Sequence, residues 1–225
     1  MRKIRGPEIF TFATLLTLIC LLALATTWVT GALLPAGDLR GISLLLIGVF
    51  LVYAYAFAAY RLFLWAYPLN EGEIAAGSRE EYGYHVYLLF NLILFYPLTR
   101  SNVVPVPVMR VAYQLLGARL GDNSYSSGIL FDPPLISMGA NCIIGQSALL
   151  IPHVIEGQRL AHWRIRLGDD VTIGANAVVL AGVTIGDGAI VAIGAVVAKG
   201  SVIGAGEVWG GIPAKRLRSE LTPHT

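Results

Sequence analysis

The chain has 225 residues, of which 56% are hydrophobic and only 13% are charged, and its net charge is +2. This length fits one sizeable domain plus an anchor and excludes two large domains. Soluble domains carry about 25% charged residues, so the composition predicts that part of the chain lies in lipid. The small net charge argues against nucleic acid as a partner, and the two cysteines, Cys20 and Cys142, do not form the pattern of a disulfide framework.

The N-terminal third contains two apolar runs without a charged residue, from Ile9 to Leu34 and from Gly41 to Tyr60. As a helix the first would extend about 39 Å, at about 1.5 Å per residue, whereas the bilayer core is about 30 Å thick. A turn from Pro35 to Arg40 separates them. The pattern predicts a transmembrane helical hairpin over residues 1–67. The alternative of two buried core helices is disfavoured by their length and lack of a polar face.

The basic N-terminus bears on both processing and orientation. Arg2, Lys3 and Arg5 before an apolar stretch, with Ala23-Leu24-Ala25 further on, are also typical of a cleaved signal peptide. The apolar run continues past that site and a second run follows, which favours the hairpin. Because the turn between the runs has only Arg40, lysine and arginine counts place both ends of the hairpin in the cytoplasm. We expect a multi-pass protein of the inner (cytoplasmic) membrane with its C-terminal domain in the cytoplasm.

A third apolar segment, from Tyr82 to Leu98, is marginal in length for spanning a bilayer. Its tyrosines, His85 and Asn91 favour an interfacial or re-entrant helix. If the segment spanned, the C-terminal domain would lie outside the cell, and this alternative stays open.

Residues 68–119 are predicted to connect the hairpin to the C-terminal domain. The segment Val104 to Pro107 is expected to be non-helical because proline removes donors and restricts its neighbour. The next residues, Val108 to Ala118, are predicted to form a short amphipathic helix that caps the following domain.

From Leu120 the chain divides into fourteen six-residue repeats, interrupted only by residues 156–166. Each repeat reads as a short strand plus a corner, and glycine at the second position turns the chain without steric cost. Three repeats complete one triangular turn, so the pattern predicts a left-handed parallel β-helix of four to five turns over residues 120–225. An antiparallel β-sandwich does not explain the strict register. The inward-facing first positions of the repeats are Met138, Ile144, Leu150, Leu167, Ile173, Val179, Ile185, Val191, Val197 and Ile203.

Two polar residues, Ser126 and Asp132, fall at inward positions, so the first turn is expected to be irregular.

The run IGANAVVLAGVTIGDGAIVAIGAVVAKG and the closing GGIPAKRLR resemble the hexapeptide-repeat acyltransferases over about residues 120–218. The segment HVIEGQRL also resembles the terminal domains of amide-forming synthetases that carry a His-x-x-Glu pair. The resemblance implies a homotrimer with active sites in crevices between neighbouring subunits. Each crevice would bind an acyl-CoA, either acetyl-CoA or a longer homologue. The N-terminal hairpin is not part of the common family pattern.

The same resemblance implies the catalytic residues. His153, just before the interruption, takes the place of the general base, a role suited to a side chain that titrates near neutral pH. Glu156 is expected to orient the imidazole or stabilise the imidazolium. The alternative is a structural role in which His153 forms a hydrogen bond only with a loop carbonyl. His162 is expected to be a loop residue.

The resemblance further implies the contacts to CoA. The corner at Ala175 would lie near the thioester, and Ile193, Ala198 and Lys199 would line the pantetheine arm. Lys215 and Arg218 would face the CoA phosphates, where cations are physically expected. The alternative for this tail is contact with anionic lipid.

The function implied is acyl transfer from CoA to a hydroxyl or amine. The anchor predicts contact with membrane lipid and therefore an acceptor at the membrane, either a small molecule or a lipid-linked glycan such as a polysaccharide precursor. A non-enzymatic trimeric scaffold remains an alternative. A γ-type carbonic anhydrase, on the same fold, needs three histidines that converge on zinc. The spacing of His153 and His162, with His224 near the C-terminus, does not match, and we expect no metal.

Overall fold

The computed structural model describes residues 2–34, 37–101 and 103–218, so Pro35 and Ala36 of the predicted turn lie outside the described residues. The chain forms two compact units. The helical unit comprises residues 3–68 and 79–97, and the β-helical unit comprises Arg2, residues 69–78 and residues 98–218 of the described chain.

The helical segments carry the two apolar runs. α1 and α2 are long and apolar enough to cross a membrane, by length and composition alone. Large side chains remain exposed on both, with Trp28 at 83% and Trp65 at 83%. The helices are α1 (Gly6–Leu33), α2 (Arg40–Ala66), α3 (Arg79–Phe90), α4 (Tyr96–Thr99) and α5 (Val106–Leu115), with a π-helical turn at Asn91–Phe95.

The third apolar segment begins as α3, which packs on α1 through polar contacts. The hydroxyls of Thr11 and Tyr82 are 2.6 Å apart, and Glu8 lies 3.6 Å from His85 with both side chains buried. Whether this segment spans a membrane, re-enters it or lies on it stays a prediction.

The fold class is confirmed: the repeats form a parallel β-helix preceded by two apolar helices. Three parallel sheets make its faces. The first sheet contains β2 (Arg119–Leu120), β5 (Ile136–Met138), β10 (Ile165–Leu167), β13 (Thr184–Ile185) and β16 (Val202–Ile203). The second contains β3 (Tyr125–Ser126), β6 (Ile143–Ile144), β11 (Thr172–Ile173), β14 (Ile190–Val191) and β17 (Val208–Gly210), and is extended by the antiparallel β18 (Lys215–Arg218). The third contains β4 (Ile129–Leu130), β7 (Leu149–Ile151), β12 (Val178–Leu180) and β15 (Val196–Val197).

Close stacking of the coils explains the glycines at the second position of the repeats. A Cβ on Gly186 would lie 2.7 Å from the backbone nitrogen of Ala205 in the next coil. Such a distance is far inside van der Waals contact, so only glycine allows this approach of backbones. The first positions of the repeats point inward and are buried, as the periodicity predicts.

α5, the helix that precedes the β-helix, begins at Val106, two residues before the predicted start at Val108. The expectation that residues 104–107 are non-helical is wrong for Val106 and Pro107, because α5 begins at Val106. Proline is tolerated in the first turn of a helix, where its missing N–H would have no intrahelical partner. Tyr113 of α5 is buried against the first coil, and its hydroxyl accepts a hydrogen bond from the backbone N–H of Leu130.

A β-hairpin overlaps the interruption of the repeats and begins before it, so the predicted repeat 150–155 leaves the regular coil at His153. β8 (His153–Glu156) and β9 (Arg159–His162) pair antiparallel, and Gly157 turns the chain with φ +60°. A third strand, β1 (Gly72–Glu73), comes from the segment between α2 and α3 and pairs antiparallel with β9. Nothing in the repeat pattern indicated this strand.

Candidate functional site

His153 lies two residues after β7 and is the first residue of the hairpin, at the side of the third sheet where its strands end. Its Nδ1 lies 2.5 Å from Oδ2 of Asp132. The two residues meet because β4 and β7 are parallel neighbours, and Asp132 and His153 each come shortly after one of these strands. The side chain of His153 is 21% exposed and that of Asp132 is 4% exposed.

Asp132 reaches the imidazole from an unusual backbone conformation. Its φ of +43° lies in the left-handed region, which aspartate enters more readily than most residues. The next residues form a short 3-10 helix, Pro133–Leu135. The polar residue at an inward repeat position is therefore the partner of the histidine, and the first turn is irregular at this point, as the sequence predicted.

The carboxylate controls the charge of the imidazole. Burial by itself would lower the pKa of His153, but the hydrogen bond and the negative charge of Asp132 outweigh burial and raise it. In the neutral ring the short contact assigns the proton to Nδ1, which leaves Nε2 as the basic nitrogen. This arrangement suits a general base held in one tautomer.

An aromatic side chain packs against the imidazole. The ring of Phe131 meets that of His153 edge to face, with centroids 5.7 Å apart. The guanidinium of Arg100 lies over the Phe131 ring, 4.8 Å from its centroid. Phe131 therefore covers one side of the imidazole and separates it from the cation of Arg100.

His162 lies opposite His153 in the hairpin, so the expectation that it is a loop residue is wrong: it is the last residue of β9. The two Cα positions are register partners in the β8–β9 pair, and His162 is 1% exposed. Burial lowers the pKa of His162, the charge of Asp132 opposes this, and His153 lowers it further. At neutral pH His162 is therefore a neutral neighbour of the Asp132–His153 pair.

Glu156 lies at the far end of the hairpin, between two cations. Its carboxylate accepts hydrogen bonds from Lys199 and, at 3.1 Å, from Arg159. These hydrogen bonds and charges lower the pKa of Glu156. The structure thus provides Asp132, not Glu156, at hydrogen-bonding distance from the His153 ring, and a catalytic role of Glu156 stays a prediction.

The residues predicted to contact CoA flank the third sheet. Ala175 and Ile193 precede β12 and β15 at one edge, and the backbone N–H of Gly194 donates to the carbonyl of Ala175 across the two coils. Ala198 and Lys199 follow β15 at the opposite edge, the edge that also carries His153. Ile193 is 76% exposed, and Ala198 and Lys199 are also exposed.

The predicted phosphate contacts lie on β18. Lys215 is exposed and pairs in register with Gly210. The backbone of Arg218 pairs with Val208, but its side chain lies outside the described part of the structure. Neither residue is joined to the His153 region by a described contact, so their predicted role is untested.

The outer face of the third sheet carries an apolar stripe. The outward residues of this sheet are in register from coil to coil, and each is half-buried within the described part of the chain. They are Ile129, Leu149, Val178 and Val196. Outward positions of a solvated sheet are normally polar. The stripe runs between the edge with His153 and the edge with Ile193.

No metal centre is evident in residues 2–34, 37–101 and 103–218: no group of three or more histidine, cysteine, aspartate or glutamate side chains there could hold an ion. His224, the third histidine of the carbonic-anhydrase alternative, lies outside the described residues.

Residues 164–199 match the family model described as bacterial transferase hexapeptide (six repeats). The six-residue repeat of this segment is the bacterial transferase hexapeptide. The matched hexapeptide residues begin directly after the hairpin and end at Lys199, so they include four of the predicted site residues: Ala175, Ile193, Ala198 and Lys199. Among curated proteins, none matches the chain.

Solved structures similar to the chain include a hexapeptide-repeat acetyltransferase from Vibrio cholerae, at 29% identity over 47% of this chain and 64% of that one, with a TM-score of 0.43. The same protein in complex with acetyl-CoA gives 30% identity over 47% and 62%, with a TM-score of 0.43. A galactoside acetyltransferase in complex with coenzyme A gives 21% identity over 58% and 78%, with a TM-score of 0.41. The chain therefore spans less than two thirds of the Vibrio cholerae enzyme.

Proposed function

We propose that this protein is a membrane-anchored, CoA-dependent acyltransferase. It moves an acyl group, with acetyl as the simplest case, from CoA to a hydroxyl or amine of a membrane-associated acceptor such as a lipid-linked sugar or polysaccharide precursor. The observation that carries the proposal is the Asp132–His153 pair. It follows β4 and β7, and β7 pairs in parallel with β12 of the segment that matches the transferase hexapeptide model. In this arrangement residues 1–67 anchor the chain, residues 68–119 connect, and residues 120–225 catalyse.

The chemistry needs one base and no nucleophilic side chain, because a CoA thioester is already activated. Nε2 of His153 accepts the proton of the acceptor hydroxyl or amine as that oxygen or nitrogen attacks the thioester carbonyl. The C–S bond of the tetrahedral intermediate then breaks, and the CoA sulfur leaves with the electron pair and takes the proton back from the imidazolium. Asp132 stabilises the imidazolium while it exists, since its carboxylate is 2.5 Å from Nδ1.

The apolar stripe of the third sheet supports a homotrimer. Burying Leu149, Val178 and their neighbours against a second subunit would remove their half-exposed surface from water. His153 and Lys199 then lie at one edge of that interface and Ile193 at the other. A crevice between subunits would receive the extended CoA molecule alongside the base.

The helical unit supports a location in the cytoplasmic membrane. Two helices of sufficient length expose apolar surface over most of their extent. Arg2, Lys3 and Arg5 precede α1, whereas Arg40 is the only basic residue of the turn, and this asymmetry favours both ends of the hairpin in the cytoplasm. The β-helix would then meet cytoplasmic CoA and an acceptor held in the same membrane.

The test is acyl transfer by the full chain in detergent. The purified protein is incubated with acetyl-CoA and a mixture of soluble sugars, amines and lipid-linked sugars, and the acceptors are examined by mass spectrometry. The proposal expects the mass of one acetyl group on at least one acceptor, with release of free CoA. A protein that binds no acetyl-CoA and modifies no acceptor, although trimeric, would be a scaffold.

A further inference from the structure

The segment between α2 and α3, here called the strap (residues 69–78), pairs with one strand of the hairpin. Its strand β1 places Gly72 opposite His162 and Glu73 opposite Ala161. The backbone N–H of Ile74 donates to the carbonyl of Leu160 at 2.9 Å. Leu69 and Ile74 are buried. The strap therefore turns a two-stranded hairpin, which is marginal by itself in water, into a three-stranded sheet.

Glu71 of the strap binds two arginines just after the hairpin. One of its oxygens accepts the backbone N–H of Arg164 at 2.9 Å, and both oxygens lie within 3.0 Å of a guanidinium nitrogen of Arg166. The guanidinium Nε of Arg164 is 3.8 Å away. Burial tends to raise the pKa of Glu71, but the hydrogen bonds and charges of these arginines outweigh it and lower the pKa.

Arg164 continues this chain of contacts toward Asp132. Its Nη1 donates to the carbonyl of Pro134 at 3.0 Å. Pro134 belongs to the short helix that begins directly after Asp132, and Asp132 holds the His153 ring at 2.5 Å. Asp132 is in a left-handed conformation. Such a conformation persists when the surrounding structure fixes it, and the turn that follows Asp132 is part of those surroundings.

We propose that Glu71 is a positioning residue: through Arg164 it fixes the turn that aims Asp132 at His153, so the loop between two apolar helices sets the geometry of the base. This inference rests on the proposed function. A displacement of about 1 Å at such a site lowers rates by up to about 10²-fold.

The strap offers a matched control. Glu73 is the other glutamate of the strap, lies in β1, and also binds an arginine, Arg159, at 2.6 Å. Arg159 leads to the exposed Glu156 and not to the turn of Asp132. Glu71→Gln and Glu73→Gln therefore each remove one negative charge from the strap. Only Glu71→Gln weakens the contacts that lead through Arg164 to the turn after Asp132.

The experiment compares the full-length wild type, Glu71→Gln, Glu71→Asp and Glu73→Gln in detergent. For Glu71→Gln we expect kcat to fall about tenfold, with the KM for acetyl-CoA within about twofold of wild type, because ground-state binding of CoA is not touched. The acid limb of kcat should also move to lower pH, since Asp132 then raises the pKa of His153 less. Glu71→Asp should recover part of the rate, and Glu73→Gln should resemble the wild type.

A second readout is independent of activity. Histidine-selective ¹⁵N labelling follows the ring of His153 as pH is varied, with the other groups around it, Asp132, His162 and Arg100, left in place. We expect a lower pKa of His153 in Glu71→Gln than in Glu73→Gln. An unchanged ring titration and acid limb, or equal losses in both variants, would overturn the role of Glu71. A shifted titration in a protein that transfers no acyl group would support the positioning role and refute the proposed function instead.

Discussion

Asp132 and His153 lie 21 positions apart in the sequence, and their side chains meet at 2.5 Å across two adjacent coils. The contact follows from the parallel pairing of β4 with β7, in which Leu130 is opposite Leu150. Each strand is followed by an excursion from the regular repeat, a short helix after the first and the hairpin after the second. The short helix and the hairpin therefore meet where β4 and β7 end, and the candidate site forms there.

Replacing Asp132 tests this relationship. Asp132 raises the pKa of His153, and only the neutral ring is a base, so activity should fall as pH drops through that raised pKa. In Asp132→Asn the charge is lost, and we expect the acid limb to move to lower pH. The plateau of kcat should fall about 10–100-fold because the tautomer and ring orientation are no longer held. The measurement is a pH profile of kcat, and a limb that stays or moves to higher pH would contradict the assignment.

The contacts to the CoA phosphates are testable through salt. In the variant Lys215→Ala/Arg218→Ala we expect a higher KM for acyl-CoA with little change in kcat, because the phosphates lie far from the reacting carbonyl. In the wild type this KM should rise with ionic strength, since exposed charges are screened over about 8–10 Å.

The control for that variant is Arg216→Ala, a neighbouring cation whose guanidinium is already paired with Glu207 at 3.1 Å. It should change the KM much less. A double variant with an unaltered KM and no salt dependence would show that the phosphates are bound elsewhere, and that the tail has another role such as contact with lipid.

The stacking of coils predicts the stability of two glycine variants. Gly186 and Gly204 occupy equivalent corners of successive coils. An added Cβ on Gly186 meets backbone at 2.7 Å, whereas on Gly204 the nearest atoms, at 3.1 Å, belong to the side chain of Glu207. Overpacking against backbone costs about 1–3 kcal/mol, so Gly186→Ala should lower the melting temperature by several degrees. Gly204→Ala should lower it less, and equal effects would contradict this account.

The orientation of the chain is testable in intact cells. Both termini are expected in the cytoplasm, because the basic residues cluster before α1 and the reaction needs cytoplasmic CoA. A cysteine added after Thr225 should resist an impermeant thiol reagent until the cells are opened, with the unmodified chain as the background for Cys20 and Cys142. Labelling before lysis would place the β-helix outside and would favour a spanning role for the third apolar segment.

The sequence predicted the β-helix well, but it did not predict Asp132 as the hydrogen-bond partner of His153. The six-residue period determines which residues face inward, because each strand stacks on the same strand of the next coil. The polar residue at inward position 132 signalled an irregular turn, but the spacing alone did not show that it reaches His153. Glu71 and its arginines are about 95 positions apart, and pairings between distant charges have no periodicity from which they could be predicted.

The measurement closest to the central claim is acyl transfer by His153→Ala in the full-length protein. If His153 is the base, kcat should fall by about 10²–10⁴-fold, with acetyl-CoA binding and the trimer retained. Light scattering of the detergent-solubilised variant and direct titration with acetyl-CoA separate loss of the base from loss of the fold. A folded, CoA-binding variant that keeps more than about a tenth of the wild-type kcat would contradict the account.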